Sequence, residues 1–336
     1  MKIFDGYQIR DLTLKNRIVM PPMCMYMSKD GCINPDHLVH YVTRAAGGVG
    51  LIIVEATAVS PEGLIEPGDL GIWNDEQAAS FIPLVKQCHQ YGAKMALQIA
   101  HAGRKSFDAP HRIAPSPIAY NDSYGMIHEL SKQEITQKID DFRTAALRAV
   151  QAGFDMVEVH AAHGYLIHEF LSPLTNKRTD EFGGSIENRV RFLKTILEEI
   201  KKYVPSDFPI GVRVSASDYT EGGIDIHEMV RMIDHVKGYV DIVHVSSGGL
   251  TETPVKYYPG YQVEFSRIIK ERCGIPTIAV GLINNPDMVD EILENGRADL
   301  VALGRSLLRD PYWVLGVAHK NGINSVIPTF YEMGFK

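Results

Sequence analysis

Residues 17–24 read Arg17-Ile18-Val19-Met20-Pro21-Pro22-Met23-Cys24, an apolar run that stops abruptly at two prolines. A doubly wound nucleotide-binding sheet would need a glycine-rich fingerprint at the exit of its first strand, and two prolines cannot supply one. Seven further runs of the same kind follow: Leu51–Ala56, Lys94–Ala100, Asp155–His160, Ile210–Val214, Asp241–Val245, Thr277–Val280 and Leu300–Leu303. Each is nearly continuously apolar, as parallel strands covered on both faces must be. The turns Tyr91-Gly92-Ala93, Ala152-Gly153-Phe154, Lys237-Gly238-Tyr239 and Asn295-Gly296-Arg297 put a glycine where the intervening helices would end. Ser131 with Glu134 forms a capping-box signature for a helix running to about Gln151. Eight strands alternating with helices predict an α/β chain of the (β/α)₈ TIM-barrel class, one domain over residues 1–336. Residues 105–130, rich in Pro, Ser, Asp and His, read as an insertion or lid over the barrel mouth.

Composition removes several function classes. The net charge is −7 and no Lys/Arg block stands out, which argues against nucleic-acid or membrane-surface partners. The first residues carry scattered charges and no apolar h-region, and no stretch of 18 uncharged apolar residues occurs, so neither a signal peptide nor a membrane span is expected. The four cysteines, Cys24, Cys32, Cys88 and Cys273, form no C-x-x-C pair. That pattern fits a reducing cytoplasm and offers no disulfide framework, zinc site or iron–sulfur cluster.

A barrel builds its site where strands end at their carboxyl side. The run Phe154–Val159 exits into His160-Ala161-Ala162-His163-Gly164-Tyr165, two imidazoles and a phenol that a hairpin-like turn could aim into one cavity. Imidazoles there can hold a carbonyl or carboxamide oxygen, and a phenol can supply a proton. Zinc chelation by His-x-x-His and plain capped core imidazoles are the alternatives; no third zinc ligand is evident, and Glu158 is expected to point away. Arg213 interrupts the apolar strand 210–214, so it either pairs with Glu158 or Asp218 or stabilises negative charge on a bound cofactor ring. Gln98 either bonds the same ring or is a satisfied core amide. The last three strands end at Ser246-Ser247-Gly248-Gly249, Gly281 and Gly304-Arg305, the small residues and single guanidinium of a barrel phosphate site. Cys24 has a buried inert thiol as its ordinary reading, and Tyr26 and Tyr165 have plain packing.

Taken together these residues resemble the Old Yellow Enzyme family of FMN-dependent ene-reductases. The likeness runs from Asn16–Met23 to Gly304-Arg305, and its most specific part is His160–Leu166 followed by Phe170-Leu171-Ser172-Pro173 and Asn176–Ser185. Cys24-Met25-Tyr26 is similar to the compact bacterial subclass of NADPH dehydrogenases. The resemblance implies that Pro21, Pro22, Met23, Cys24, Ala56, Gln98, Arg213, Gly249, Gly281, Gly304 and Arg305 hold FMN, with the phosphate against Gly281 and Gly304-Arg305. Arg213 and Gln98 would serve the flavin ring, and Cys24 would tune its potential. It further implies that NADPH or NADH is the hydride donor and that enones and phenolic compounds are the small-molecule ligands. His160 and His163 would grip the substrate oxygen while hydride passes from flavin N5 to the β-carbon and Tyr165 protonates the α-carbon. Tyr26 and Lys105 would be further substrate contacts, no metal would take part, and the kinetics would be ping-pong. Nitro compounds are a further substrate class, and detoxification of electrophiles an inherited role. A homo-oligomer, dimer or tetramer, is implied as well. One departure stands out: Met333 occupies the place where members of the compact subclass often carry an Arg that reaches a neighbouring subunit's site. Two other flavin or phosphate barrels remain open, a dihydroorotate- or hydroxy-acid-oxidising enzyme and a cofactor-free phosphosugar isomerase or aldolase, as does a flavin-binding protein without turnover.

Overall fold

A computed structural model describes residues 1–336 with the exception of Asp108 and Pro110. Eight parallel strands close on themselves: β1 Ile18–Met20, β2 Leu51–Ala58, β3 Lys94–Ala100, β4 Met156–Ala161, β5 Ile210–Ser215, β6 Ile242–Ser246, β7 Thr277–Ala279 and β8 Leu300–Ala302. Each pairs with its sequence neighbours, and the ring shuts where Val301-Ala302 of β8 and Leu51-Ile52 of β2 both pair with β1. The (β/α)₈ barrel expected from the alternating pattern is therefore the fold. Strand ends differ from the apolar runs by up to two residues. The largest shift is in β2, which continues through Ala58 because its register against β3 slips between Val54 and Thr57.

Alternation sorts the strand residues onto two surfaces. Val157, Val159, Val212, Val214 and Val243 face outward, in one cluster with helix residues such as Phe142, Phe192 and Ile196. Val19, Leu51, Ile53, Ala96, Met156, Ile242, Ile278 and Leu300 form the interior cluster together with Ile9, Leu12 and Leu14. Those last three belong to an antiparallel hairpin, Tyr7–Ile9 with Leu12–Leu14, that plugs the amino-terminal end of the barrel. It is too short to show as a pattern in the sequence. The interior is thus sealed and apolar at the bottom. Two residues further along the same strands the inward positions turn polar: Gln98, Glu158, Arg213 and His244, all buried.

The helices begin where side chains satisfy their first amides. Ser131 and Glu134 form the expected capping box for Lys132–Gln151, and Asn34 and Asn74 cap Pro35–Ala46 and Asp75–Gln90 in the same way. The segment 105–130 contains two short parallel-paired strands, Arg112–Ala114 and Ile127–Glu129. Asp108 and Pro110, which fall within that expected lid, lie outside the described residues. Among the described residues no helix is long and apolar enough to cross a membrane.

Candidate active site

The exit of β4 carries the central group. It is a tight turn into the helix Leu166–Leu171 rather than a hairpin, with His163 at φ 61° and Gly164 at φ 75°. This turn brings the three rings together. His160 lies edge-on to His163 and to Tyr165, each pair of ring centroids 5.1 Å apart. A side chain at Gly164 would strike the Gly249 carbonyl at 2.3 Å, and one at Gly249 would meet the His163 backbone at 2.8 Å. The close approach of these two chain segments therefore requires both glycines, quite apart from their positive φ.

A backbone hydrogen bond fixes the His160 tautomer. His160 Nδ1 accepts from the Ala162 amide at 3.2 Å, so in the neutral ring Nε2 carries the proton. That nitrogen faces His163 Nδ1 at 3.4 Å, and His163 Nε2 lies 2.8 Å from Ser246 Oγ. The chain continues from Ser246 Oγ to Gln262 Oε1, whose amide nitrogen donates to the Val280 carbonyl. Burial, reinforced by the charge of Arg213, holds both imidazoles well below the usual histidine range, so both are neutral donors at pH 7. Burial likewise pushes the Tyr165 phenol well above its ordinary value, keeping its proton in place. Lys105 Nζ donates to the carbonyls of His163 and Gly249, both at 3.0 Å, and sits 5.2 Å above the Tyr165 ring. Burial lowers its pKa to about 8. The ammonium therefore staples the two close segments while lying over the face of the Tyr165 ring.

Register places Arg213 between His160 on β4 and His244 on β6. Arg213 forms an ion pair with neither sequence-level partner. Glu158 accepts instead from Gln98 Nε2 at 2.7 Å and lies 2.8 Å from His244 Nδ1, so it points into the barrel rather than away. Asp218 is taken by Ser172 and the Ile224 amide. Arg213 Nε is left buried without a partner, although Glu158 contributes a favourable field. A buried guanidinium with an unpaired donor calls for an acceptor on a bound group. The Glu158 contact also orients Gln98: its NH₂ is occupied and its Oε1 is the free acceptor.

Arg213 opens into a cavity lined by Ser246, Gln262, Gly281, Gly304, Arg305 and Arg309, with no carboxylate in its wall among the described residues. Two further guanidiniums and glycines without side chains suit a phosphate. Arg309, Tyr261 and Gln262 also line it but carry no strand-end signal in the sequence, because they sit on helices and loops. Gly304 closes against the β1 exit, where a Cβ would lie 3.5 Å from Met23 Sδ and 3.7 Å from Pro21 Cγ; Pro22 is buried beside them. Cys24 is half-buried, and burial, with the nearby carboxylates of Asp69 and Glu55, raises its pKa, so the thiol is neutral. Tyr26, at φ 54°, is half exposed at the mouth. The loop carrying it is held from below by Glu55, which accepts from the Met25 amide at 2.6 Å and from Tyr41 at 3.0 Å. Every expected site residue lies at the carboxyl end of the barrel or on its inner wall. Met333 is surface-exposed on the last turn of the chain. Among the described residues, no three His, Cys, Asp or Glu converge as metal ligands.

Comparison with known proteins agrees with this geometry. Residues 2–324 match the model of the NADH:flavin oxidoreductase / NADH oxidase family. The NADPH dehydrogenase of Clostridium acetobutylicum is 54% identical over 338 residues, covering 100% of both chains. That of Bacillus subtilis is 49% identical over 99% of each. Among solved structures, the old yellow enzyme homologue from Zymomonas mobilis superposes with a TM-score of 0.81 at 28% identity, covering 95% of this chain and 93% of that one.

Proposed function

The chain belongs to the NADH:flavin oxidoreductase / NADH oxidase family, of the Old Yellow Enzyme kind, and from that premise we propose that it reduces the C=C bond of α,β-unsaturated carbonyl and nitro compounds. It is an FMN-dependent NADPH dehydrogenase. Bound FMN supplies the hydride-transfer chemistry that links NADPH, or NADH, to the alkene. Arg213, Gly281, Gly304 and Arg305 hold it from the β5, β7 and β8 ends, with Arg309 added to its phosphate side. Gln98, Ala56, Gly249, Pro21, Pro22, Met23 and Cys24 complete the cradle.

The observation that carries the substrate reading is the contact of His160, His163 and Tyr165 in one buried pocket. His160 Nε2–H and the His163 N–H are directed donors on neutral rings. His160 Nε2 and His163 Nδ1 lie 3.4 Å apart; with Ser246 Oγ donating to His163 Nε2, both nitrogens carry protons and one carbonyl oxygen can accept from the two. Their donors stabilise negative charge that grows on that oxygen. Tyr165 keeps its proton until the alkene accepts it at the α-carbon. Tyr26 and Lys105 border the same space as substrate contacts. Nicotinamide and alkene would use the same pocket in turn, which makes the kinetics ping-pong. The four unpaired cysteines support a reducing, cytoplasmic setting, and the exposed Phe330 and Met333 support a homo-oligomer. Initial rates of NADPH oxidation with 2-cyclohexen-1-one test the proposal. Parallel double-reciprocal lines with cyclohexanone as product are expected; NADPH consumption that is independent of the enone overturns it.

A further inference from the structure

The turn that presents His163 and Tyr165 is left-handed at two successive residues, and His163 is not a glycine. Such a conformation persists only where the surroundings impose it. Two bonds do so. The His163 amide donates to Ser215 Oγ at 3.0 Å, and the Gly164 amide donates to His168 Nδ1 at 2.9 Å. His168 belongs to the helix that follows the turn and is completely buried. Because its Nδ1 accepts, its Nε2 carries the proton, and that nitrogen lies 2.9 Å from Asp218 Oδ1 in a bent approach. Asp218 is anchored in turn by Ser172 Oγ at 2.7 Å and by the Ile224 amide at 2.8 Å. Neither His168 nor Asp218 lines the Arg213 cavity.

We propose that Asp218 and His168 are positioning residues: through the Gly164 amide they lock the peptide that aims the His163 imidazole and the Tyr165 phenol into one pocket. Asp218 fixes the tautomer of His168, and His168 offers the only ring atom able to accept the Gly164 N–H. The assignment rests on the ene-reductase reading of that pocket.

Asparagine and glutamine separate the two halves of this device. An Asn at 168 places an oxygen near the position of Nδ1, keeping the Gly164 bond and losing Asp218. A Gln places its polar atoms near Nε2, keeping Asp218 and losing Gly164. The FMN-loaded protein and its His168→Asn, His168→Gln and His168→Ala variants are titrated with 4-hydroxybenzaldehyde, with the flavin-to-protein ratio recorded. His168→Asn is expected to bind the phenol within about threefold of wild type, whereas His168→Gln and His168→Ala bind it about tenfold more weakly or worse, at unchanged flavin content. Wild-type affinity in all three, equal loss in all three, or retention by Gln with loss by Asn overturns the proposal. Hydrogen exchange of the unsubstituted protein needs no variant. Strong protection of the Gly164 amide is expected, and exchange as fast as an exposed turn overturns the lock. If the wild-type protein binds no phenol at all while Gly164 is protected, the substrate reading fails and the lock stands.

Discussion

Replacing Tyr165 by Phe deletes one oxygen and leaves the ring. The edge contact with His160 and the Lys105 ammonium 5.2 Å above the ring both survive. Among the described residues the hydroxyl has no hydrogen-bond partner, so its loss costs the fold well under about 1 kcal/mol. Proton donation in the transition state is another matter. A positioned general acid contributes roughly 10²- to 10⁴-fold, or about 3–5 kcal/mol of barrier. The variant should therefore keep its FMN and its melting temperature, keep reduction by NADPH within about threefold, and lose at least about 10² in the step that consumes the enone. Anaerobic stopped-flow absorbance separates the two half-reactions. The acid form is the active one, and burial raises the pKa of Tyr165, so the wild-type enone step should not fall with pH up to about pH 10 through this group. Equal slowing of both half-reactions, or an unimpaired enone step, refutes the assignment of the proton donor.

Other residues give equally direct tests. His163→Ala removes one of two donors to the ligand oxygen and should weaken phenolate binding by about 10- to 100-fold while FMN stays bound, read from the same titration; equal loss of flavin would show that the imidazole supports the cofactor instead. Arg305→Ala should raise the dissociation constant for FMN by about 10- to 100-fold, measured by flavin fluorescence on dilution, because a charge-assisted phosphate contact is lost. Glu55 is fully buried, and burial raises its pKa from 4.5 to about 7. Folding thus favours its protonated form: that contribution is complete below pH 4.5 and is lost as the pH rises through about 7, a swing of about 3 kcal/mol. Urea denaturation of Glu55→Gln between pH 4.5 and 7 should lose that slope, and an unchanged slope would assign the titration to other groups.

The barrel was legible because its strands are buried on both faces, so each reads as an apolar run bounded by punctuation. The short elements were not legible. A three-residue strand such as Tyr7–Ile9 carries no period to detect, and the pairing of Arg112–Ala114 with Ile127–Glu129 depends on tertiary contacts alone. At the site, residues on strand ends are legible as candidates because position on a barrel strand already implies a role. The direction of Glu158 is not legible in the sequence, since inward and outward faces cannot be told apart when both are apolar; only its alignment with Gln98 and His244 settles the matter. His168 and Asp218 lie 50 residues apart in sequence, and Asp218 read as a partner for Arg213 because chain proximity to a strand says nothing about which buried cation a carboxylate meets. Those contacts are products of the fold, not of any local pattern.

On the proposed function, one pocket holds both FMN and the paired imidazoles of His160 and His163. An absorption spectrum of the purified protein, titrated with 4-hydroxybenzaldehyde, tests it most directly. Flavin bands that develop a saturable long-wavelength charge-transfer band are the predicted result, since a phenolate whose oxygen is held by the imidazoles would lay its ring on the flavin. A colourless protein that FMN cannot reconstitute, or a flavin spectrum untouched by the phenol, would contradict it.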